Sequence, residues 1–310
     1  SMLRADEDAK FVVLEMGMNH FGEISVLSKA AVPDVAVITN IGDSHIENLG
    51  SREGILNAKL EIAEGMDNGT LVLNGDDPHL SRARTGLKTV YCKTAGIDSE
   101  IVARRIKSLG PEGTVFDLNI RGVEREARIG LPGTHMVTNA LLAAGACDSV
   151  GMGIDDIVSG IGGFVPKSPG RMEILKANGM TVINDAYNAN PQSMAAALSV
   201  LACFDEKSGN RVAILGDMLE LGERSEEFHK NLGAAAACGK VDKLVAIGRM
   251  AKSVLDGFIK ASGDIGKALY FEDKEIFLAE RENILNKGDI VLVKASHSMA
   301  FQKIVDALIN

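Results

Sequence analysis

Short apolar runs alternate with helical patterns along the second half of the chain. The runs are Met180–Asn184, Val212–Leu215, Leu244–Ile247, Ala268–Phe271 and Ile290–Val293. Continuous apolar runs of this length are typical of strands that are buried on both faces of a parallel sheet. Stretches such as 193–203, 225–238 and 274–285 carry helical periodicity between the runs. This alternation predicts an α/β domain with a Rossmann-like, doubly wound sheet.

The first half repeats this pattern and then departs from it. Apolar runs at 11–14, 35–38 and 71–73 predict buried strands, with helices over 24–31 and 51–66. Residues 113–118 and 124–129 alternate between apolar and polar positions around Arg121-Gly122, which predicts an antiparallel β insertion. Helices over 139–147 and 154–161 follow. Residues 170–191 then read as the crossover between the two halves.

Composition narrows the function classes. A chain of 310 residues is long enough for two domains, and 46% hydrophobic content is typical of globular proteins. The formal net charge of −9 argues against nucleic acid or a membrane surface as the main partner. The chain contains neither a membrane-length apolar run nor a signal peptide. Its four cysteines form no CxxC pair, which disfavours zinc and disulfide frameworks and predicts a cytoplasmic location.

Polar residues with chemical potential follow the predicted strands. Ligands of open α/β sheets bind beyond the carboxyl ends of the strands, so residues at these positions are candidates for a binding site. The candidates are Glu15, His45, Asp185, Asn190, Asp217, Glu220, Lys294 and Ser296. Each also has an ordinary explanation: a solvated strand end, an exposed histidine, a polar loop, or the turn and helix start that Asn190-Pro191 favours.

Two further observations limit the cofactor. The sequence has no G-x-G-x-x-G at a strand–helix turn, which disfavours a dinucleotide oxidoreductase, and it has no G-x-x-x-x-G-K-[ST] phosphate loop. A carboxylate at Glu15 and an imidazole at His45 could share a metal ion. Histidine is unusual for Mg²⁺ and suits Mn²⁺ as well. Lys59, on the predicted helix 51–66, reads as a lysine whose stem covers apolar surface.

Taken together, the motifs resemble those of the Mur ligases, the ATP-dependent amide-forming enzymes of bacterial peptidoglycan precursor synthesis. The resemblance covers essentially the whole chain. It rests on Glu15-Met16-Gly17, Asn40-Ile41-Gly42 with His45, Ala58-Lys59-x-Glu61, Asn74-Gly75-Asp76-Asp77, Gly170-Arg171-Met172-Glu173 and Asp185-x-Tyr187-x-Ala189-Asn190-Pro191. The most specific string, Gly216-Asp217-Met218-Leu219-Glu220-Leu221-Gly222, is similar to the family members that use D-alanyl-D-alanine.

The resemblance implies an architecture and a reaction. Residues 1–169 would form part of the central ATP-binding domain with its β insertion, and residues 170–310 the C-terminal, Rossmann-like substrate domain. ATP would phosphorylate the carboxylate of UDP-N-acetylmuramoyl-tripeptide, and D-alanyl-D-alanine would then form the amide. The resemblance also implies Mg²⁺ as cofactor. We expect a cytoplasmic monomer that binds neither nucleic acid nor membrane.

The resemblance also implies roles for individual residues. Glu15, His45 and a carbamylated Lys59 would hold Mg²⁺, and Lys59, His45 and Arg171 would form the catalytic group. Asn139 and Asn190 would border the adenine, Asp185 the ribose and Arg171 the γ-phosphate. Asp217, Glu220, Lys294 and Ser296 would contact the substrate.

Two departures from the family pattern bear on activity. The family's N-terminal UDP-binding domain and its Gly-Lys-Thr phosphate loop are not in these 310 residues, so we expect this chain to be inactive alone. Lys294-Ala295-Ser296-His297 stands where the family tends to show Lys-Gly-Ser-Arg. Two alternatives stay open: another amide ligase of the superfamily, similar to folylpolyglutamate synthase, and a non-catalytic module that binds nucleotide or substrate. The Gly216–Gly222 string disfavours the first.

Overall fold

Two six-stranded sheets organise the residues that the computed structural model describes, which are 8–96, 99–166, 168–204 and 209–310. The chain divides into two compact units. The first comprises residues up to 106 with 115–128 and 137–162, and the second comprises 107–114, 129–136 and 163–310. The single boundary at 169/170 that the sequence suggests stays a prediction.

The sheet of the first unit has its strands in chain order. They are β1 (Val35–Ile38), β2 (Thr70–Asn74), β3 (Lys88–Lys93), β4 (Ile101–Ser108), β5 (Thr114–Ile120) and β6 (Val123–Ile129). Strands β1 to β4 pair in parallel, and the turn Arg121–Gly122 joins β5 to β6, as the alternation predicts. The helices are α1 (Glu23–Ala31), α2 (Ile46–Leu49), α3 (Arg52–Leu60), α4 (Thr134–Ser149) and α5 (Ile154–Gly162).

The prediction of a buried strand over residues 11–14 was wrong. These residues have irregular structure, and Phe11 and Val13 are 62% and 95% exposed. A four-residue apolar run becomes a strand only where a neighbouring strand satisfies its backbone N–H and C=O groups. Within the described residues, β1 pairs with β2 alone.

The helix predicted over 51–66 is shorter than expected. Ser51 caps α3 as predicted, because its hydroxyl accepts a hydrogen bond from Gly54 N at 3.1 Å. After Leu60 the chain tightens into a 3₁₀ helix over Glu61–Gly65. Both oxygens of the Glu61 carboxylate accept hydrogen bonds from backbone N–H groups at the start of α1, from Gly22 (2.8 Å) and Ser25 (3.3 Å). Glu61, two residues after Lys59, therefore caps the start of helix α1.

The second unit confirms all five strands predicted for it. Its sheet has the order β11-β10-β9-β12-β8-β7. The strands are β7 (Glu173–Ala177), β8 (Met180–Asn184), β9 (Arg211–Gly216), β10 (Lys243–Ile247), β11 (Ala268–Phe271) and β12 (Ile290–Lys294). Strands β8 to β12 pair in parallel, and β7, which the pattern does not predict, pairs antiparallel with β8 at the edge. The helices are α6 (Pro191–Leu201), α7 (Ser225–Cys238), α8 (Ala251–Ser262), α9 (Lys274–Ile284) and α10 (Gln302–Ile309).

Both faces of this sheet are covered, as a doubly wound fold requires. Ala213 and Leu215 of β9 belong to a buried cluster with side chains of α6, α7 and α8, whereas Val212 and Ile214 belong to another with α9 and α10. Successive residues of a strand point to opposite faces, so a continuous apolar run fills both clusters. Strands β9 and β12 are neighbours, and the helices that follow them, α7 and α10, cover opposite faces of the sheet. Their carboxyl ends, with that of β8 beside them, form the topological switch point.

Among the described residues, no helix combines the length and the apolar character needed to cross a membrane.

Candidate functional site

Lys59 lies at the carboxyl end of α3, half-buried beside the loop that follows β1. Its ammonium donates a hydrogen bond to Asn40 O at 2.7 Å. Burial lowers the pKa of Lys59, and the nearby Asp77 carboxylate opposes this effect without cancelling it. A lowered pKa increases the fraction of neutral amine, which is the form that reacts with an electrophile such as CO₂. Lys59 is therefore a chemically suitable residue for carbamylation.

The Asn74–Asp77 motif holds the loop that Lys59 contacts. Asn74 Nδ2 donates to Thr39 O at 3.0 Å, and Ile41 N donates to Asp77 Oδ2 at 2.8 Å. The buried Asp77 also accepts from the backbone of His79 and Leu80 through its other oxygen. This motif thus positions the backbone on both sides of Asn40. The sequence shows the motif but not this role.

The metal ligands that the family resemblance implies in the first unit, Glu15 and His45, do not form a ready-made metal site. His45 is half-buried, with a left-handed backbone at φ 62°, where it caps α2. Glu15 is exposed in the irregular segment after residue 14. Among the residues described, no three His, Cys, Asp or Glu side chains are placed to share a metal ion. A carbamate on Lys59 would add a second anionic oxygen donor to the carboxylate of Glu15, and Mg²⁺ prefers oxygen.

Asp185 and Lys294 form a buried ion pair at the switch point of the second unit. Lys294 Nζ lies 2.6 Å from Asp185 Oδ2 and donates to Asn188 O at 2.8 Å. Asp185 Oδ1 accepts from Met172 N at 3.0 Å. Burial lowers the pKa of Lys294, while Asp185 raises it and Arg171 lowers it further. Arg171 is thus close enough to add a second positive charge beside the Asp185–Lys294 pair, which favours an anionic ligand.

A stack of three side chains stands beside this pair. The Arg171 guanidinium lies 4.0 Å from the centroid of the Tyr187 ring, and the His297 ring centroid lies 5.3 Å from it. His297 Nδ1 is also 3.1 Å from Tyr187 O. The histidine that replaces the family's arginine therefore packs on Tyr187. The sequence analysis did not predict this stack, although it singled out Arg171 and Tyr187 in two separate motifs.

Asn190 has a structural role that the sequence leaves open. It caps α6 in a capping box: its Oδ1 accepts from Ser193 N at 2.8 Å, and Ser193 Oγ accepts from Asn190 N at 3.1 Å. Pro191 occupies the first helical position, as its fixed φ favours. Asn139 is exposed on α4. The adenine contacts expected of both asparagines stay predictions.

The Gly216–Gly222 loop joins two neighbouring strand ends. Ser296 N donates to Asp217 O at 3.0 Å, and Leu219 N donates to Ser296 Oγ at 2.9 Å. Asp217 is buried, and its Oδ1 accepts from Ala251 N at 2.7 Å at the start of α8. The loop after β9, the loop after β12 and α8 are thereby tied together.

Glu220 and Leu219 are the exposed residues of this loop, and the backbone of Glu220 is left-handed at φ 61°. Met172, next to Arg171, is also left-handed at φ 53°. Left-handed backbone in residues other than glycine is uncommon and concentrates at functional sites. His45 shares this conformation with Met172 and Glu220, but so do six residues outside the motifs, so the conformation by itself assigns no function: Val32, Arg105, Arg121, Asn178, Lys240 and Ala300.

His135 is a further residue that sequence reasoning left without a role. Burial lowers its pKa, with Asp185 opposing and Lys294 reinforcing this effect. The imidazole therefore lies within the electrostatic reach of the Asp185–Lys294 pair. Only the fold shows this, because the three residues lie far apart in the chain.

Comparison with known proteins agrees with this geometry. The family profile of the Mur ligase middle domain matches residues 1–147, and that of the Mur ligase, glutamate ligase domain matches residues 170–297. The chain is 40% identical to UDP-N-acetylmuramoyl-tripeptide–D-alanyl-D-alanine ligase of Bacillus subtilis, with 100% of this chain and 66% of that protein covered. It is 32% identical to the protein of the same name from Escherichia coli, with 99% of this chain and 67% of that protein covered.

A solved structure supports the same relationship. The structure described as MurF ligase from Thermotoga maritima in complex with ADP matches with a TM-score of 0.80 and 25% identity. The match covers 94% of this chain and 65% of that one. The chain belongs to the Mur ligase family and contains its middle and C-terminal domains. Within that family, the sequence relatives named here are ligases of D-alanyl-D-alanine, and this chain spans about two thirds of their length.

Proposed function

We propose that the protein of which these residues are part is an ATP-dependent ligase that adds D-alanyl-D-alanine to UDP-N-acetylmuramoyl-tripeptide. The observation that carries this proposal is the place of the Gly216–Gly222 string. This most specific string forms a loop at the switch point that is hydrogen-bonded to Ser296, two residues after the cationic Lys294. The printed names of the relatives support the choice of dipeptide.

The chemistry is a two-step amide synthesis. The tripeptide carboxylate attacks the γ-phosphorus of ATP, ADP leaves, and an acyl phosphate forms. The neutral amine of D-alanyl-D-alanine then attacks the acyl carbon, phosphate leaves with the electron pair of its C–O bond, and the leaving phosphate takes up the proton that the amine nitrogen loses. Phosphoryl transfer depends mainly on positioning and charge neutralisation. We assign the neutralisation of the γ-phosphate to Arg171, which Tyr187 orients by stacking at 4.0 Å.

Asp185 and Lys294 would act as a pair in this site. Each carboxylate oxygen can accept a second hydrogen bond, so Asp185 can take a ribose hydroxyl while it keeps Lys294 and Met172 N. Lys294 has its protons directed at Asp185 and Asn188. We therefore infer that Lys294 serves the substrate site mainly by orienting Asp185 and the loop before α6. Asn139 and Asn190 would border the adenine.

Glu15, His45 and carbamylated Lys59 would hold Mg²⁺ in the first unit. The ion would supply electrostatic stabilisation of the phosphate oxygens. The residues fit such an ion only if Lys59 is modified, because an ammonium would repel it. The lowered pKa of the half-buried Lys59 amine supports the modification.

Asp217, Glu220 and Ser296 complete the proposal as contacts of the dipeptide. We place the protein in the cytoplasm as a monomer, with no nucleic acid or membrane partner. Four free thiols, at Cys92, Cys147, Cys203 and Cys238, suit a reducing compartment.

The test is phosphate release by the full-length protein with ATP, Mg²⁺ and UDP-N-acetylmuramoyl-tripeptide. We expect release to require D-alanyl-D-alanine, with single amino acids as the matched control. Release that depends on a single amino acid such as glutamate would point to the folylpolyglutamate synthase-like alternative. Nucleotide binding without turnover would favour the non-catalytic module.

A further inference from the structure

The backbone of the 217–222 loop is held at three successive residues. Asp217 contacts α8 and the loop after β12, and Leu219 contacts Ser296. Met218 lies between them, is fully buried, and points its backbone N–H toward α7. The group that receives this N–H is the His229 imidazole.

His229 is completely buried, and its two nitrogens have different partners. Its Nε2 accepts from Met218 N at 2.9 Å, and its Nδ1 is 2.7 Å from Ser225 O, one turn earlier in α7. A carbonyl oxygen only accepts, so Nδ1 carries the proton, and a backbone N–H only donates, so Nε2 is bare. The geometry therefore requires the neutral imidazole in a single tautomer.

We propose that His229 is a positioning residue of the dipeptide site. As a neutral acceptor, it sets the backbone at Met218 and so places Asp217 on one side and Glu220 on the other. The inference rests on the proposed function insofar as it takes the 217–222 loop to contact the dipeptide.

Burial, and not nearby charge, favours the neutral form of His229. Burial lowers its pKa, while the hydrogen bond to Ser225 and the Asp217 carboxylate act in the opposite direction. Helix α6, which packs against α7, has no charged residue. The charged residues of α7 and α8 are all exposed: Glu226, Glu227, Lys230, Lys252, Asp256 and Lys260.

Protonation would turn the acceptor into a donor. Nε2–H would then face Met218 N–H, and two donors cannot hydrogen-bond to each other. The loop should therefore be held at neutral pH and released in acid. A side chain that accepts a hydrogen bond but does not titrate should hold the loop both at neutral pH and in acid.

The experiment measures amide hydrogen exchange of the 217–222 loop in the 310-residue chain at several values between about pH 4 and pH 8, a range extended to the acid side because burial lowers the pKa of His229. Protection factors are compared, since they correct for the intrinsic pH dependence of exchange. The variants are His229→Gln, which keeps an acceptor that does not titrate, and His229→Leu, which removes it. Asn178→Ala is the matched control, because it removes one side-chain hydrogen bond, to Leu308 O at 2.8 Å, from the turn before β8.

We expect the protection of Met218 and Leu219 to fall in acid in the wild type and to stay constant in His229→Gln. In His229→Leu it should be independent of pH and roughly tenfold below the wild-type value at neutral pH, the change that the net contribution of one hydrogen bond supports. Asn178→Ala should leave the loop unchanged. If His229→Leu does not fold, the wild type and His229→Gln still decide the question. Identical pH dependence in these two proteins, or equal loosening by Asn178→Ala, would overturn the proposal.

Kinetics of the full-length protein separate this inference from the proposed function. His229→Leu should raise KM for D-alanyl-D-alanine about tenfold and change kcat less, because the loop is displaced rather than the reacting groups. His229→Gln should retain the wild-type KM at neutral pH. An unchanged KM in His229→Leu would refute the positioning role. Absence of ligation in the wild type would refute the proposed function and leave the exchange results as they are.

Discussion

Lys59 shows how a contact between elements changes the chemistry of one side chain. Along the sequence it is an ordinary helix lysine near apolar residues. In the fold it is half-buried against Asn40 O, and burial lowers the pKa of its amine. The same neighbourhood that makes an ammonium less stable makes a carbamate feasible.

Replacement of Lys59 by alanine should abolish most of the ligase activity of the full-length protein. We expect a fall in kcat of about 100-fold or more, the usual cost of removing one preorganised electrostatic group. Added short-chain carboxylic acids should partly restore turnover, because they can supply the missing anionic oxygen. Steady-state kinetics with and without the acid measure this effect.

Lys29→Ala is the control for that substitution. Lys29 belongs to the same unit, is exposed, and pairs with Glu64 at 2.7 Å. Exposed pairs contribute about 0–1 kcal/mol, so this variant should keep wild-type kinetics. Full activity of Lys59→Ala would show that Lys59 has no part in catalysis.

At the scale of elements, helix α6 combines a structural signal with a candidate ligand. The capping box of Asn190 and Ser193, followed by Pro191, is a local pattern that starts the helix at the edge where ligands bind. Asn190 thus has one observed role, as a helix cap, and one proposed role, as an adenine contact. Substitutions can separate these roles.

We expect Asn190→Ala to lower the free energy of unfolding by about 1 kcal/mol, the typical cost of losing such a cap. Asn190→Asp should be close to wild type in stability, since aspartate caps equally well. Urea unfolding of the 310-residue chain measures both. In the full-length protein, an adenine contact through the amide would raise KM for ATP in both variants, whereas a pure cap would affect alanine alone.

At the scale of the whole molecule, these 310 residues contain only part of the nucleotide site that the family resemblance implies. The chain spans about two thirds of the length of its curated relatives and contains no G-x-x-x-x-G-K-[ST] string. A phosphate loop contributes backbone N–H groups and a lysine to the phosphates, so its absence removes the strongest contacts of ATP.

Calorimetric titration of Mg·ATP should therefore detect no tight binding to the 310-residue chain. The full-length protein, titrated in parallel, should bind. Tight binding by this chain alone would mean that its phosphate site is built differently from that of the family, and would favour the binding-module alternative.

The sequence by itself determined much of the architecture. The five predicted strands of the second unit, the cap at Ser51, the helix start at Pro191 and the β5–β6 hairpin follow from apolar runs and turn residues, which are local signals. The motifs that carry the family resemblance are likewise read directly along the chain. The resemblance to the Mur ligase family follows from these motifs without any structure.

Only the tertiary structure decided which residues act together. Asp185 and Lys294 are 109 residues apart and form an ion pair. His229, on helix α7, accepts a hydrogen bond from the backbone N–H of Met218 in the loop after β9. The exposure of residues 11–14 and the edge strand β7 depended equally on which strands were available to pair. The physical reason is the same in each case: a strand edge, a buried charge or an imidazole is satisfied by partners that only the folded chain brings within hydrogen-bonding distance.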